Sequence, residues 1–242
     1  MADNDDIPKQ ENAPEEAKEA SPVRPRYQSI EDLPKTLPIF PLPGALVFAR
    51  ETLPLNVFEP RYLQMVDDVL AGDRLIAIIQ PLDTQLRADA PDLQGVGCAA
   101  RLTAFQETED NRCVISLTGI CRFDVTGELP SEDRLYRSLQ VSYDRFGADL
   151  KPSAEAGQIN RQRLLEVVRE YLDRNDMDAN WDVIHQTPDE GLVNYFCMVS
   201  PYGIKERQAL LEAVTLADRT DMMIALAEML LAQDKDPDLP MH

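Results

Sequence analysis

The apolar residues of this chain change period near residue 150, and that switch limits the possible folds more than any other feature of the sequence. Before it they alternate, as in strands: Leu53, Leu55 and Val57; Cys113, Ile115 and Leu117; Cys121, Phe123 and Val125; Leu139, Val141 and Tyr143. After it they return at helical spacing, as Leu164, Leu165, Val168, Tyr171 and Leu172 do. A strand-period block followed by a helix-period block predicts an α+β protein. Its β-rich part should span residues 33–150 and its helical bundle residues 151–233.

Within the β block, "LPIFPLPGALVFA" is broken by Pro38, Pro41 and Pro43, which predicts an irregular sheet opening rather than a central strand. "LPLNVF" is a strand that runs through Glu59-Pro60-Arg61-Tyr62 directly into a helix. Pro60 suits the first helical turn, where its missing N–H is no loss. Tyr62, Met65, Val66, Val69 and Leu70 form an apolar stripe, and Gly72 is expected as a left-handed cap. "RLIAIIQP" reads as a strand buried on both faces, followed by a polar loop from Leu82 to Gln94. Gly119 predicts a kink between two strands. In the helical block, Thr187, Pro188 and Glu190 are spaced as N-cap, N1 and N3, and Thr215 with Asp218 opens the last helix.

Residues 1–32 hold nine acids against four bases and few large apolar side chains, which predicts a disordered acidic tail. Residues 234–242 add three acids against one base in a frayed end, so −12 of the net −19 belongs to the body. That charge repels phosphate backbones and argues against nucleic-acid partners. The longest uncharged runs, 36–49 and 191–204, are too short to span a bilayer, and the N-terminus has no secretory pattern. Cys98, Cys113, Cys121 and Cys197 are scattered through apolar segments, which suits a reducing cytoplasm better than disulfides or zinc.

Catalysis finds no foothold. The chain has no G-x-x-x-x-G-K-[ST] phosphate cradle and no G-x-S-x-G elbow. Of its two histidines, His242 is terminal and His185 lies in "NWDVIHQTP" with no assembled nucleophile. Lys151 and Lys205 carry no Ser-Lys signature. Asp176, Asp178 and Asn180 are spaced like calcium ligands, but Trp181 and Thr187 stand where such a loop needs glycine and glutamate. No metal or other cofactor is expected.

"LPIFPLPGALVFARETLPLNVFEPRYLQMVDDVL" resembles the opening of the N-terminal substrate-binding domain of the ATP-dependent protease Lon. "GVGCAARLTAF", "NRCVISLTGICRFDV" and "GLVNYFCMVSPYGIKERQALLEAVTLADR" resemble its later strands and helical end. The chain differs in having Ala49-Arg50-Glu51 where the family often has Pro-Gly, and in lacking the ATPase and Ser-Lys peptidase modules. It is similar to the stand-alone form of the domain. The resemblance implies a PUA-like twisted β pseudo-barrel followed by a helical bundle. It also implies a non-catalytic module that binds unfolded or tagged polypeptide, or alternatively a scaffold for one folded partner such as a protease. For Glu59-Pro60-Arg61-Tyr62 two readings stand. The motif either ties the strand–helix junction together or lines a groove for an extended peptide, with Phe40, Leu42, Phe48 and Phe58 as nearby apolar contacts. The peptide-binding set is then Phe40, Leu42, Phe48, Phe58, Glu59, Arg61 and Tyr62.

Overall fold

The computed structural model describes residues 27–82, 91–109, 112–131, 133–152, 159–174 and 176–233. The tail assignments for residues 1–26 and 234–242, and most of the loop after Leu82, lie outside the described residues. Residues 27–32, assigned by composition to the acidic tail, belong to the fold instead. Tyr27 is buried and Ile30–Asp32 form a 3₁₀ turn, in which the Asp32 carboxylate accepts from the Gln28 and Ser29 N–H groups.

Six strands follow the predicted order: β1 (Thr36–Pro41), β2 (Thr52–Val57), β3 (Leu75–Pro81), β4 (Leu93–Glu107), β5 (Cys113–Leu129) and β6 (Ser138–Ser142). The sheet runs β2-β5-β4-β3-β1-β6, and a further β5–β6 pairing closes five of the strands into a pseudo-barrel with β2 outside the ring. Contrary to the expectation from its prolines, β1 sits between two strands. It tolerates Pro38 and Pro41 because it changes partner midway, pairing antiparallel with β6 over Thr36–Pro38 and parallel with β3 over Ile39–Pro41. As predicted, β3 is buried along its whole length.

Gly119 is where β5 changes face. The strand is continuous, but its register with β4 skips one residue, from Ala99↔Cys121 to Ala100↔Gly119. In a strand of period two, one extra residue inverts the side chains beyond it. Cys113, Ile115 and Leu117 therefore enter one core, and Cys121 and Phe123 enter the other. The first core lies beneath α1 (Pro60–Ala71), whose Tyr62, Met65, Val66 and Val69 are the buried stripe read from the sequence. The second joins the barrel to the helical block: α2 (Arg161–Arg174), α3 (Trp181–Gln186), α4 (Asp189–Val199), α5 (Ile204–Glu212) and α6 (Leu216–Gln233).

Two caps differ from expectation. Gly72 ends α1 at φ −116°, and the left-handed residue is Arg74 at φ 61°, whose N–H satisfies the Val69 carbonyl. Thr187 turns its hydroxyl back to the Val183 carbonyl at 2.8 Å, because α3 ends there, so it closes one helix rather than capping α4. Thr215 does open α6: its Oγ1 accepts from the Asp218 N–H at 3.0 Å.

Between the two blocks lies a buried guanidinium. Arg122 of β5 donates to both oxygens of Asp149 at 2.8 Å, to the carbonyls of Leu211 and Ala213, and to that of Val214 at 3.1 Å. Its other face lies over the Phe146 ring. Arg122→Met would leave Asp149 and three carbonyls without this donor. The expected loss is about 3–5 kcal/mol of unfolding free energy, read from urea denaturation. Gly119→Ala would place a Cβ 2.0 Å from the Phe48 carbonyl oxygen. A loss of at least about 1–3 kcal/mol is expected in the same assay, and wild-type stability in that variant would contradict the packing described here.

Candidate functional site

The strand–helix junction is built by β2 and α1. β2 is paired with β5 alone, from Thr52↔Thr118 to Val57↔Cys113, so its outer edge carries no strand among the described residues. Alternate residues Thr52, Pro54 and Asn56 are exposed along it. Pro54 is compatible with this place because an edge strand has no second ladder to serve. At the end of β2, Phe58 is 60% exposed, with the Arg112 guanidinium 5.9 Å from its ring centroid.

The residues of the motif then divide between surface and floor. Glu59 and Arg61 form an ion pair at 2.8 Å, each about a third or more exposed. Such a pair contributes no more than about 1 kcal/mol, so it orients the junction more than it stabilises it. The Arg61 Nε donates to the Glu59 carboxylate at 2.9 Å, and the guanidinium also lies 4.7 Å from the Tyr62 ring centroid. Tyr62 is buried and packs on Phe40 with ring centroids 4.3 Å apart, while Leu42 lies half-buried against the same core. Phe40 and Tyr62 are thus floor, not contact.

Phe48 is a correction. It is 1% exposed and lies in the other core, with the Arg219 guanidinium 4.3 Å from its ring centroid. The segment 47–49 crosses the Gly119 bulge, where Val47 enters one core and Phe48 the opposite one. The structure therefore leaves Phe58, Glu59 and Arg61 at the surface, with Arg61 beside the Tyr62 ring, buries Phe40 and Tyr62 together, and sets Phe48 apart.

A second concave surface escaped the sequence reading. A groove of about 770 Å³ opens between α2, α3 and α4, with Met177, Val183, Tyr195 and Val199 among its lining residues. All four are at least half exposed. The available signal was α4 itself: besides its buried Leu192, Val193, Phe196 and Cys197, it carries Tyr195 and Val199 on another face. A helix apolar on more than one side has more apolar surface than a single packing partner covers.

Both surfaces present apolar side chains to solvent. All four cysteines are buried and free. Burial pushes the Cys98 and Cys197 thiols up to about 12 and raises Cys113 and Cys121 as well, so none supplies a thiolate nucleophile at neutral pH. Among the described residues no group of three or more His, Cys, Asp or Glu is gathered as a metal ion would require. No helix among them is long and apolar enough to cross a membrane.

Against known proteins, the model of one family, described as the ATP-dependent protease La (LON) substrate-binding domain, matches residues 36–228. The chain belongs to that family. Lon protease 2 of Thermus thermophilus is 22% identical over 201 residues, which cover 83% of this chain and 25% of that protein. Lon protease 2 of Myxococcus xanthus is 26% identical over 201 residues, 81% of this chain and 24% of its own length. The chain thus spans a quarter or less of these relatives. Its fold is that of a Lon N-terminal domain protein from Xanthomonas campestris, with TM-score 0.56 and 21% identity over 78% of this chain and 97% of that one. The N-terminal domain of the Mycobacterium avium complex Lon protease is similar at TM-score 0.58 and 16% identity, over 80% of this chain and 98% of that chain.

Because the thiols are held protonated, the native protein should resist Ellman's reagent at pH 8, and all four should react once it is unfolded in guanidinium. Rapid stoichiometric labelling of the native protein would contradict the burial described.

Proposed function

We propose that the protein is a non-catalytic polypeptide-recognition module and that it holds extended, unfolded or tagged segments at the β2–α1 junction. The observation that carries this reading is the open β2 edge ending in exposed Phe58. An extended peptide laid along β2 would complete backbone hydrogen bonds on either side of Pro54 and bury an apolar side chain against Phe58. The edge alone is sequence-blind, so Phe58 and the Glu59–Arg61 pair would supply the selectivity. Membership in a family of substrate-binding domains supports recognition of protein substrates generally.

Fluorescence anisotropy with labelled unfolded peptides tests this. Affinity should rise with peptide hydrophobicity and fall at least about tenfold for Phe58→Asp, in keeping with the ~1.5–3 kcal/mol of burying such a ring. Because Phe58 is already in water, the variant should keep the wild-type melting temperature. Absence of binding to every unfolded peptide would overturn the proposal, and affinity capture of a single folded partner would then favour a scaffold.

A further inference from the structure

The groove between α2, α3 and α4 lies at the other end of β2 from Phe58, since Glu51, the residue before β2, forms part of its rim. Gly191, Tyr195 and Val199 line one wall at four-residue spacing along α4. That stripe is about 12 Å long at 1.5 Å per residue, enough to lie against two turns of another helix. Its main walls are α2, α3 and α4, whose backbone groups are bonded within the helices, with the non-helical segments 177–180 and 200–201 and Glu51 also in the lining. Against those helical walls a helix, which satisfies its own backbone, is the fitting occupant.

Charge limits the occupant further. The charged residues that line the groove are both carboxylates, Glu51 and Asp178. The cations nearby are engaged elsewhere: Arg50 pairs with Glu190, Arg161 with Asp189, and Arg169 lies over the Trp181 ring. Glu51 forms no ion pair among the described residues, and its carboxylate faces the first turn of α4 at Gly191. Its pKa is raised, by burial first and then by the charge of Glu190, with the neighbouring Arg50 offsetting part of the effect, so a further cation brought to this lip would be favourable. A second copy of this chain, at net charge −19, would bring acid to acid. The same holds for the chain's own ends, which have excess acid in both 1–32 and 234–242.

We propose that this groove docks a short amphipathic helix of a partner protein, apolar on the face it buries and flanked by Lys or Arg that meet Glu51 and Asp178. This site is separate from the β2–α1 junction and does not depend on peptide binding there.

The probe is a labelled 14-residue peptide with leucines at i, i+3, i+4 and i+7 and lysines flanking them. One control replaces the lysines by glutamates, and a second places a proline mid-helix. Trp181 is the sole tryptophan of the chain and stands on α3, so its emission reports occupancy beside anisotropy. Saturable binding of the lysine peptide is expected, with both controls at least about tenfold weaker. Val199→Asp should weaken binding about tenfold or more, and Glu51→Gln by about threefold to tenfold. Phe58→Asp should leave it unchanged. If Val199→Asp fails to fold, Tyr195→Glu replaces it at a residue equally exposed. Several results would overturn the proposal: no saturable binding, equal affinity for the glutamate or the proline peptide, or indifference to a folded groove variant. So would self-association of the protein that is lost on Val199→Asp. Loss of extended-peptide binding in Phe58→Asp, with helix binding retained, keeps the two sites distinguishable.

Discussion

The Arg122 guanidinium holds the two halves of the molecule in register. It stands on the longest strand, bonds Asp149 from the 3₁₀ segment after β6, and donates to carbonyls at the end of α5 and just beyond it. A buried cation is costly unless its donors are matched, and here carboxylate and carbonyl oxygens surround it. Arg219 is a second buried guanidinium on the helical side, less completely matched, since its Nε is buried without a hydrogen-bond partner among the described residues. Burial first, and then the neighbouring charge of Arg122, lowers it to about 10, and it donates to Asn194 while lying over Phe48. Two guanidiniums at one seam fix how α4 and α6 approach the barrel.

That fixed approach places both surfaces. The segment from Phe48 to Glu51 is pinned across the Gly119 bulge, with the Arg50 N–H bonded to the Gly119 carbonyl and the Gly119 N–H to that of Glu51. From there β2 runs along the outside of the ring and ends at Phe58. Arg50 adopts φ 71° and reaches Asp149 and Glu190. One short stretch of chain therefore sets the start of an open strand edge and one lip of the helical groove. Both present apolar side chains to solvent.

Much of this was legible in the sequence. The period switch separates strands from helices because side chains repeat every two residues in one and every 3.6 in the other. Pro60 and the stripe from Tyr62 to Val69 specified α1 for the same local reason. The motifs also sufficed to place the chain beside the Lon substrate-binding domain, a family now matched over residues 36–228. Of the residues the sequence offered as one peptide-binding set, Phe58, Glu59 and Arg61 lie at the surface while Phe40, Phe48 and Tyr62 are buried, a division no local pattern makes.

What the sequence determined by itself was local: where the backbone turns, which stretches are strands or helices, and which side chains are apolar. Tertiary structure alone decided which apolar side chains stay in water. Phe48 and Phe58 are the same residue type in similar surroundings along the chain, yet Phe48, packed across the bulge at Gly119 about 70 residues later, is buried and Phe58 is not. The groove between α2, α3 and α4 likewise follows from how the helices are set against the barrel, a long-range packing outcome that no window of neighbouring residues contains.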